Sequence, residues 1–206
     1  MSSSKTLAVL PIAITLLAVL AGCTAAPAPE ATPTTAPTAA PEPTSAPVDE
    51  TLTFAMPTDC ASILPDSRID SFTKEGLVLL GGPGGRYGND YLVDATPEEE
   101  AGGISCIWGV SDTEMSTYTI SVAPLSASTR PAVVASFAEQ GLNEETTDDA
   151  VAYGVQGDRT LDPAIMNVLR GDSWISVIAT LGGVESYEKS VEIADEVHDL
   201  VYTAAG

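Results

Sequence analysis

A chain of 206 residues with 8 Lys and Arg against 29 Asp and Glu is too acidic for nucleic acid or anionic lipid headgroups to be natural partners. Three cysteines, no C-x-x-C and one histidine, His198, leave a zinc cluster short of ligands, and no cofactor motif is present. The composition otherwise fits one domain of ordinary size behind an exported N-terminus.

In MSSSKTLAVLPIAITLLAVLAGC, Lys5 precedes an apolar run from about Leu7 to Leu20 that closes on small residues, the layout of a secretory signal. A membrane span needs about 20 apolar residues, and this run is shorter. Its ending, LAGC at Leu20 to Cys23, resembles the bacterial lipobox, whose cysteine receives a diacylglycerol thioether and becomes the first residue after cleavage. The alternative is an ordinary secretory peptide cut near Ala21 or Gly22. Residues 1–22 are therefore read as a lipoprotein signal peptide and Cys23 as the lipidation site. Two or more acyl chains, at about 0.8 kcal/mol per buried methylene, anchor firmly where one chain does not. Loss of Lys5 with the signal leaves 7 basic against 29 acidic residues, a net charge near −22.

TAAPAPEATPTTAPTAAPEPTSAPV, Thr24 to Val48, has no periodic pattern of large apolar residues. Residues 23–48 thus read as a lipidated cysteine on a disordered Ala/Pro/Thr tether. At about 3.1 Å per residue in polyproline II, it would lift a domain several tens of ångströms off a bilayer.

Residues 49–206 are expected to form a single extracytoplasmic domain. It begins with a strand near Thr51 to Phe54 and a short turn at PTDCASILP, capped by Thr58 or Asp59. An apolar piece, GLVLL at 76–80, leads into GGPGGRYGND, read as a flexible surface loop, and Tyr91 to Ala95 reads as a brief strand. PEEE at 97–100 reads as solvated loop charge. In ISCIWGV, Ile104, Cys106, Trp108 and Val110 alternate onto one face of a strand. In STYTISVAPL, Tyr118, Ile120 and Val122 alternate with Thr117, Thr119 and Ser121, whose side is expected to face water.

PAVVASFAEQ, 131–140, predicts a helix opened by proline and stopped at Gly141, with Val133, Val134, Phe137 and Ala138 as its stripe. NEETTDD at 143–149 reads as a second acidic loop. Strands are predicted at Val151 to Val155, Ala164 to Arg170 and Ser173 to Leu181, the last two joined at Gly171-Asp172 as a hairpin needing positive φ. From Ser186 to Thr203, Tyr187, Val191, Ala194, Val197 and Val201 predict a terminal amphipathic helix. The fold class is α+β: an antiparallel sheet with two main helices packed on one face and one disulfide.

With Cys23 lipidated, Cys60 and Cys106 remain, and in an oxidising compartment a bond between them is the leading assignment. Two free thiols or a metal site are the alternatives. No catalytic set emerges. GGPGGRYG fits neither phosphate-loop spacing, and if that loop binds a ligand, Arg86 and Tyr87 are the side chains able to do so. His198, flanked by Asp195 and Asp199, has no G-x-S-x-G elbow to serve and reads as a boundary histidine. The acidic runs lack the alternating calcium-loop pattern. RGD at 170–172 is accounted for by the hairpin.

The lipobox, the Ala/Pro/Thr tether, DCASIL at 59–64 and CIW at 106–108 together resemble actinobacterial cell-envelope lipoproteins that share an extracytoplasmic domain of unknown function. The resemblance implies a small α+β domain and carries over no catalytic residue. The expected role is a non-enzymatic binding or accessory module, membrane-anchored through Cys23 on the extracytoplasmic face, with an envelope protein, glycan or small ligand as partner. The alternatives are a carboxylate-dependent hydrolase of envelope glycans and a purely structural envelope protein.

Overall fold

The computed structural model describes residues 52–147 and 149–204. The signal peptide, Cys23 and the tether lie outside the described residues. The elements, in chain order, are β1 (Leu52–Phe54), α1 (Asp66–Lys74), β2 (Leu77–Gly81), a 3-10 turn (Gly88–Tyr91), α2 (Pro97–Glu100), β3 (Ile104–Val110) and β4 (Met115–Pro124). There follow α3 (Arg130–Glu139), β5 (Asn143–Thr146), β6 (Val151–Val155), β7 (Ala164–Leu169), β8 (Ser173–Ala179), α4 (Val184–Val201) and β9 (Tyr202–Ala204). Seven strands form one antiparallel sheet in the order β2-β3-β4-β8-β7-β6-β5, and β1 pairs with β9 in a separate ribbon. The α+β class with an antiparallel sheet holds.

Side-chain parity divides the core into two layers, since alternate residues of a strand face opposite sides. Cys106, Trp108, Ile120, Val122, Met166, Ile175 and Val177 point to one face, where Phe72 of α1 and Ile193, Ala194, Val197 and Val201 of α4 cover them. Each large side chain buried there contributes about 2 kcal/mol. Ala123, Leu169 and Trp174 point to the other face, with Tyr153, and meet Phe137 of α3. Two helices do share one face, but they are α1 and α4. The helix 131–140 lies on the opposite side, carrying the chain from β4 in mid-sheet to the far edge at β5.

The sequence of α1, DSRIDSFTK, offers only Ile69 and Phe72 as an apolar pair, too little to mark a helix by periodicity. Its third inward position is Arg68, whose side chain is 4% exposed. That guanidinium makes a two-pronged contact with Glu196 on α4, Nε and Nη2 donating at 2.7 Å each, and Nη2 lies 2.9 Å from Glu192.

Cys60 and Cys106 are joined by a disulfide, with Cα atoms 5.5 Å apart. Asp59 caps the turn beside it by accepting from the Ala61 and Ser62 amides at 3.0 Å. The glycine loop is not the flexible connection expected. Gly81 and Gly82 are buried, the Cys60 amide donates to the Pro83 carbonyl at 3.1 Å, and a Cβ on Gly82 would lie 2.8 Å from Cys60 Sγ. Tyr91, expected in a strand, ends the 3-10 turn instead, with its side chain packed over Gly81. The acidic run at 143 builds edge strand β5 through Thr146. The hairpin at 170–173 closes with Arg170 N donating to Ser173 O at 3.0 Å, and neither Gly171 nor Asp172 takes positive φ. No helix of the described residues is long and apolar enough to cross a membrane.

Candidate functional site

On the side of β4 expected to face water, Thr117 and Thr119 are partly exposed but Ser121 is buried. Ser121 belongs to a polar row that crosses the sheet from β3 to β5 because register aligns one polar residue per strand. Ser105 pairs with Ser121, Ser121 with Ser176, Ser176 with Asn167, Asn167 with Tyr153, and Tyr153 with Glu144. The hydroxyls are chained. Thr96 Oγ1 lies 2.6 Å from Ser105 Oγ, which lies 2.8 Å from Ser121 Oγ. At the other end Tyr153 donates to Glu144 at 3.0 Å, while Trp174 Nε1 donates to Asn167 Oδ1 at 2.9 Å. Ser105, Ser121, Ser176 and Asn167 are all buried, so their polar atoms need partners within the fold.

Two helices roof this row. α3 supplies Ser136, Phe137 and Gln140; α2 supplies Pro97 and Glu98. The four-residue α2 is fixed by a capping box, in which Thr96 Oγ1 accepts from Glu99 N at 3.2 Å and Thr96 N donates to Glu99 Oε2 at 2.9 Å. Gly103 then lets α2 settle on β4: a Cβ there would stand 2.3 Å from the Val122 carbonyl oxygen. Between roof and row lies a cavity of about 230 Å³. That is smaller than the ~300–1,000 Å³ of drug-sized ligand pockets.

Glu98 is the chemical centre of the cavity and corrects the reading of PEEE as solvated charge. Its side of α2 faces inward and the residue is 6% exposed. Burial pushes its carboxyl above the ordinary range, and nearby Glu99 adds to the rise. Its own backbone N–H and the hydroxyls of Ser176 and Thr96 act the other way, favouring the ionised form. Because the folded pKa exceeds the unfolded one, the native state holds the extra proton. The stabilisation is therefore complete below the ordinary glutamate range and is lost as pH rises through the raised pKa. Glu98→Gln should show a Tm a few degrees above wild type at neutral pH, with the gap closing in acid. A pH series of thermal melts on the two proteins checks this, and parallel curves would contradict it.

Arg86 and Tyr87 lie away from this cavity. Arg86 donates to Ser111 at 2.9 Å and Tyr87 to Glu114 at 2.5 Å, so both tie the glycine loop to the β3–β4 turn. His198 is partly buried, its ring stacked on Tyr202 with centroids 4.8 Å apart and Nδ1 3.1 Å from Asp199. Arg170 and Asp172 of the RGD triplet are taken up internally, Arg170 by Asp149 and Asp172 by the Tyr202 hydroxyl. Among the described residues no group of three or more His, Cys, Asp or Glu is placed to hold a metal ion. A groove beside α4 is lined by Glu145 and Asp195, both exposed, together with Met166 and Val191.

No family model matches the chain, and neither a curated protein nor a solved structure matches it.

Proposed function

We propose that the chain is a lipid-anchored, extracytoplasmic binding module of an actinobacterial cell envelope, held by Cys23 on the tether 24–48 and binding a small ligand in the Glu98 cavity. The observation that carries the binding role is one buried carboxyl set among aligned hydroxyl and amide side chains beneath α2 and α3. A packed core needs no such arrangement, since each buried polar group costs about 1–3 kcal/mol unless partnered. Binding is favoured over glycan hydrolysis because that chemistry uses two carboxyl groups flanking the scissile bond. Among the described residues lining the cavity, Glu98 is the single acid.

The anchor is tested by metabolic labelling with an alkynyl fatty acid. Wild type should incorporate label and partition with membranes. Cys23→Ser should lose the label and be released or remain uncleaved, whereas undiminished labelling would refute the anchor. The binding role is tested by mass spectrometry of small molecules freed when native, detergent-extracted protein is denatured. A species present with wild type and depleted at least tenfold with Glu98→Gln supports it; identical extracts from both proteins count against it.

A further inference from the structure

The cavity under α3 admits a ligand class, an assignment that rests on the binding reading above. Among the described residues lining it, the one ionisable side chain is Glu98, and no Lys, Arg or His contributes to the wall. A phosphate, sulfate or carboxylate ligand would meet no positive side chain in the wall, and its charge would oppose ionisation of Glu98, whereas a cation would favour it. Anionic ligands are disfavoured on that ground. A neutral polyol could donate hydroxyls to Glu98 and to the row, yet it brings no opposite charge to the carboxylate. A protonated amine supplies the missing counter-charge, and its charge-assisted N–H···O bond is roughly twice as strong as a neutral one.

The rest of the wall narrows the class. Asn167 has its side-chain oxygen engaged by Trp174 Nε1, which leaves its NH2 to donate to a ligand oxygen. Gln140, just past the end of α3, donates its amide nitrogen to the Ser136 carbonyl at 3.2 Å and leaves its amide oxygen to accept from a ligand. A ligand that satisfies this wall carries a cation at one end and a hydroxyl acceptor near it. Phe137 and Trp174, with rings 5.6 Å apart in an edge-on arrangement, supply aromatic surface suited to an ammonium group and its methylenes. The cavity volume of about 230 Å³ keeps the ligand compact. The net charge of −21 concentrates cations near the surface before any of them enters.

We propose that this cavity binds a compact amino alcohol or amino sugar, its ammonium on the Glu98 carboxylate and a hydroxyl oxygen accepting from the Asn167 amide. The probes are ethanolamine, ethylene glycol and glycolate, which share a two-carbon frame and differ in charge. Each is titrated into the 15N-labelled full chain in detergent at constant ionic strength, with amide shifts followed by NMR. Ethanolamine should give saturable shifts at Gln140, Asn167 and Ser176, with glycol and glycolate giving none there. Glu98→Gln should weaken ethanolamine binding by about tenfold or more. Should that variant not fold, Ser136→Leu, which fills the cavity from α3 and leaves the carboxyl in place, should abolish the same shifts.

Three results would overturn the assignment. Equal shifts from ethylene glycol would show hydroxyl recognition, so the cavity would remain a binding site while the ammonium reading failed. Ethanolamine shifts scattered over the acidic surface would show nonspecific ion pairing only. Absence of saturable shifts at the cavity with every probe would remove this assignment, while the binding reading stands or falls with the extract comparison above.

Discussion

Arg68→Ala is expected to lower the stability of the domain by about 3 kcal/mol, which for a domain of this size is a fall in Tm of roughly 6–12 °C. Two costs add. Removing the side chain empties a site that is 4% exposed, between α1 and α4. It also leaves Glu192 and Glu196, one turn apart on α4, as like charges without their shared partner. The two glutamates retain some access to water, at 59% and 26% exposure, so the charge part of the loss is smaller than for a fully buried pair. Arg68→Met separates the terms, because it keeps the aliphatic stem and discards the guanidinium. It should cost about 1 kcal/mol, leaving the larger share to packing. Urea unfolding of the three proteins measures both. Equal losses for Ala and Met would mean that the ion pair, and not the volume, holds α1 in place.

Arg68 also shows why part of the fold was illegible in the sequence. A buried arginine looks like a surface residue in any hydropathy pattern, so α1 leaves only a two-residue apolar trace in the sequence. Strands were easier to read. β3, β6, β7 and β8 follow alternating or continuous apolar runs bounded by turn residues, and their predicted limits differ from the observed ones by two residues or fewer. The terminal helix showed itself through a stripe at three-and-four spacing, and Val197 and Val201 are indeed buried. Which face α3 would take is a property of the crossover from β4 to β5, and nothing local to PAVVASFAEQ encodes it.

The cavity escaped for a related reason. Ser105, Ser121, Ser176 and Asn167 lie on four different strands, and each one alone fits the polar side of a half-exposed strand. Only strand register puts them in line, and only α2 and α3, from other parts of the chain, exclude water from that line. Glu98 is the same case in miniature: among three consecutive glutamates, helix geometry turns one inward. The signal that could have singled it out is the T-P-E-E capping box with the glycine pair after it, which together mark a short helix pressed against something.

Removing the Cys60–Cys106 disulfide, by reduction or by replacing both cysteines with alanine, is expected to cost about 4 kcal/mol. The bond closes a loop of 46 residues, and in the chain-entropy description its loss releases that much freedom to the unfolded state. The surroundings add to this. Both cysteines are fully buried in the layer that holds Trp108 and Ile120, and Gly82, with φ +96°, presses its backbone against Cys60. Two thiols need more room than one disulfide, and Gly82 together with the Ser105 carbonyl occupies the space they would take. Reductant should therefore act slowly on the folded protein and quickly in denaturant, as alkylation followed by intact-mass measurement would show. In urea, the reduced protein should unfold at a lower midpoint and with a steeper slope, because an uncrosslinked unfolded chain exposes more surface. Coincident curves for the oxidised and reduced forms would mean that packing alone holds the turn at Cys60 against β3, and that the cross-link contributes nothing to stability.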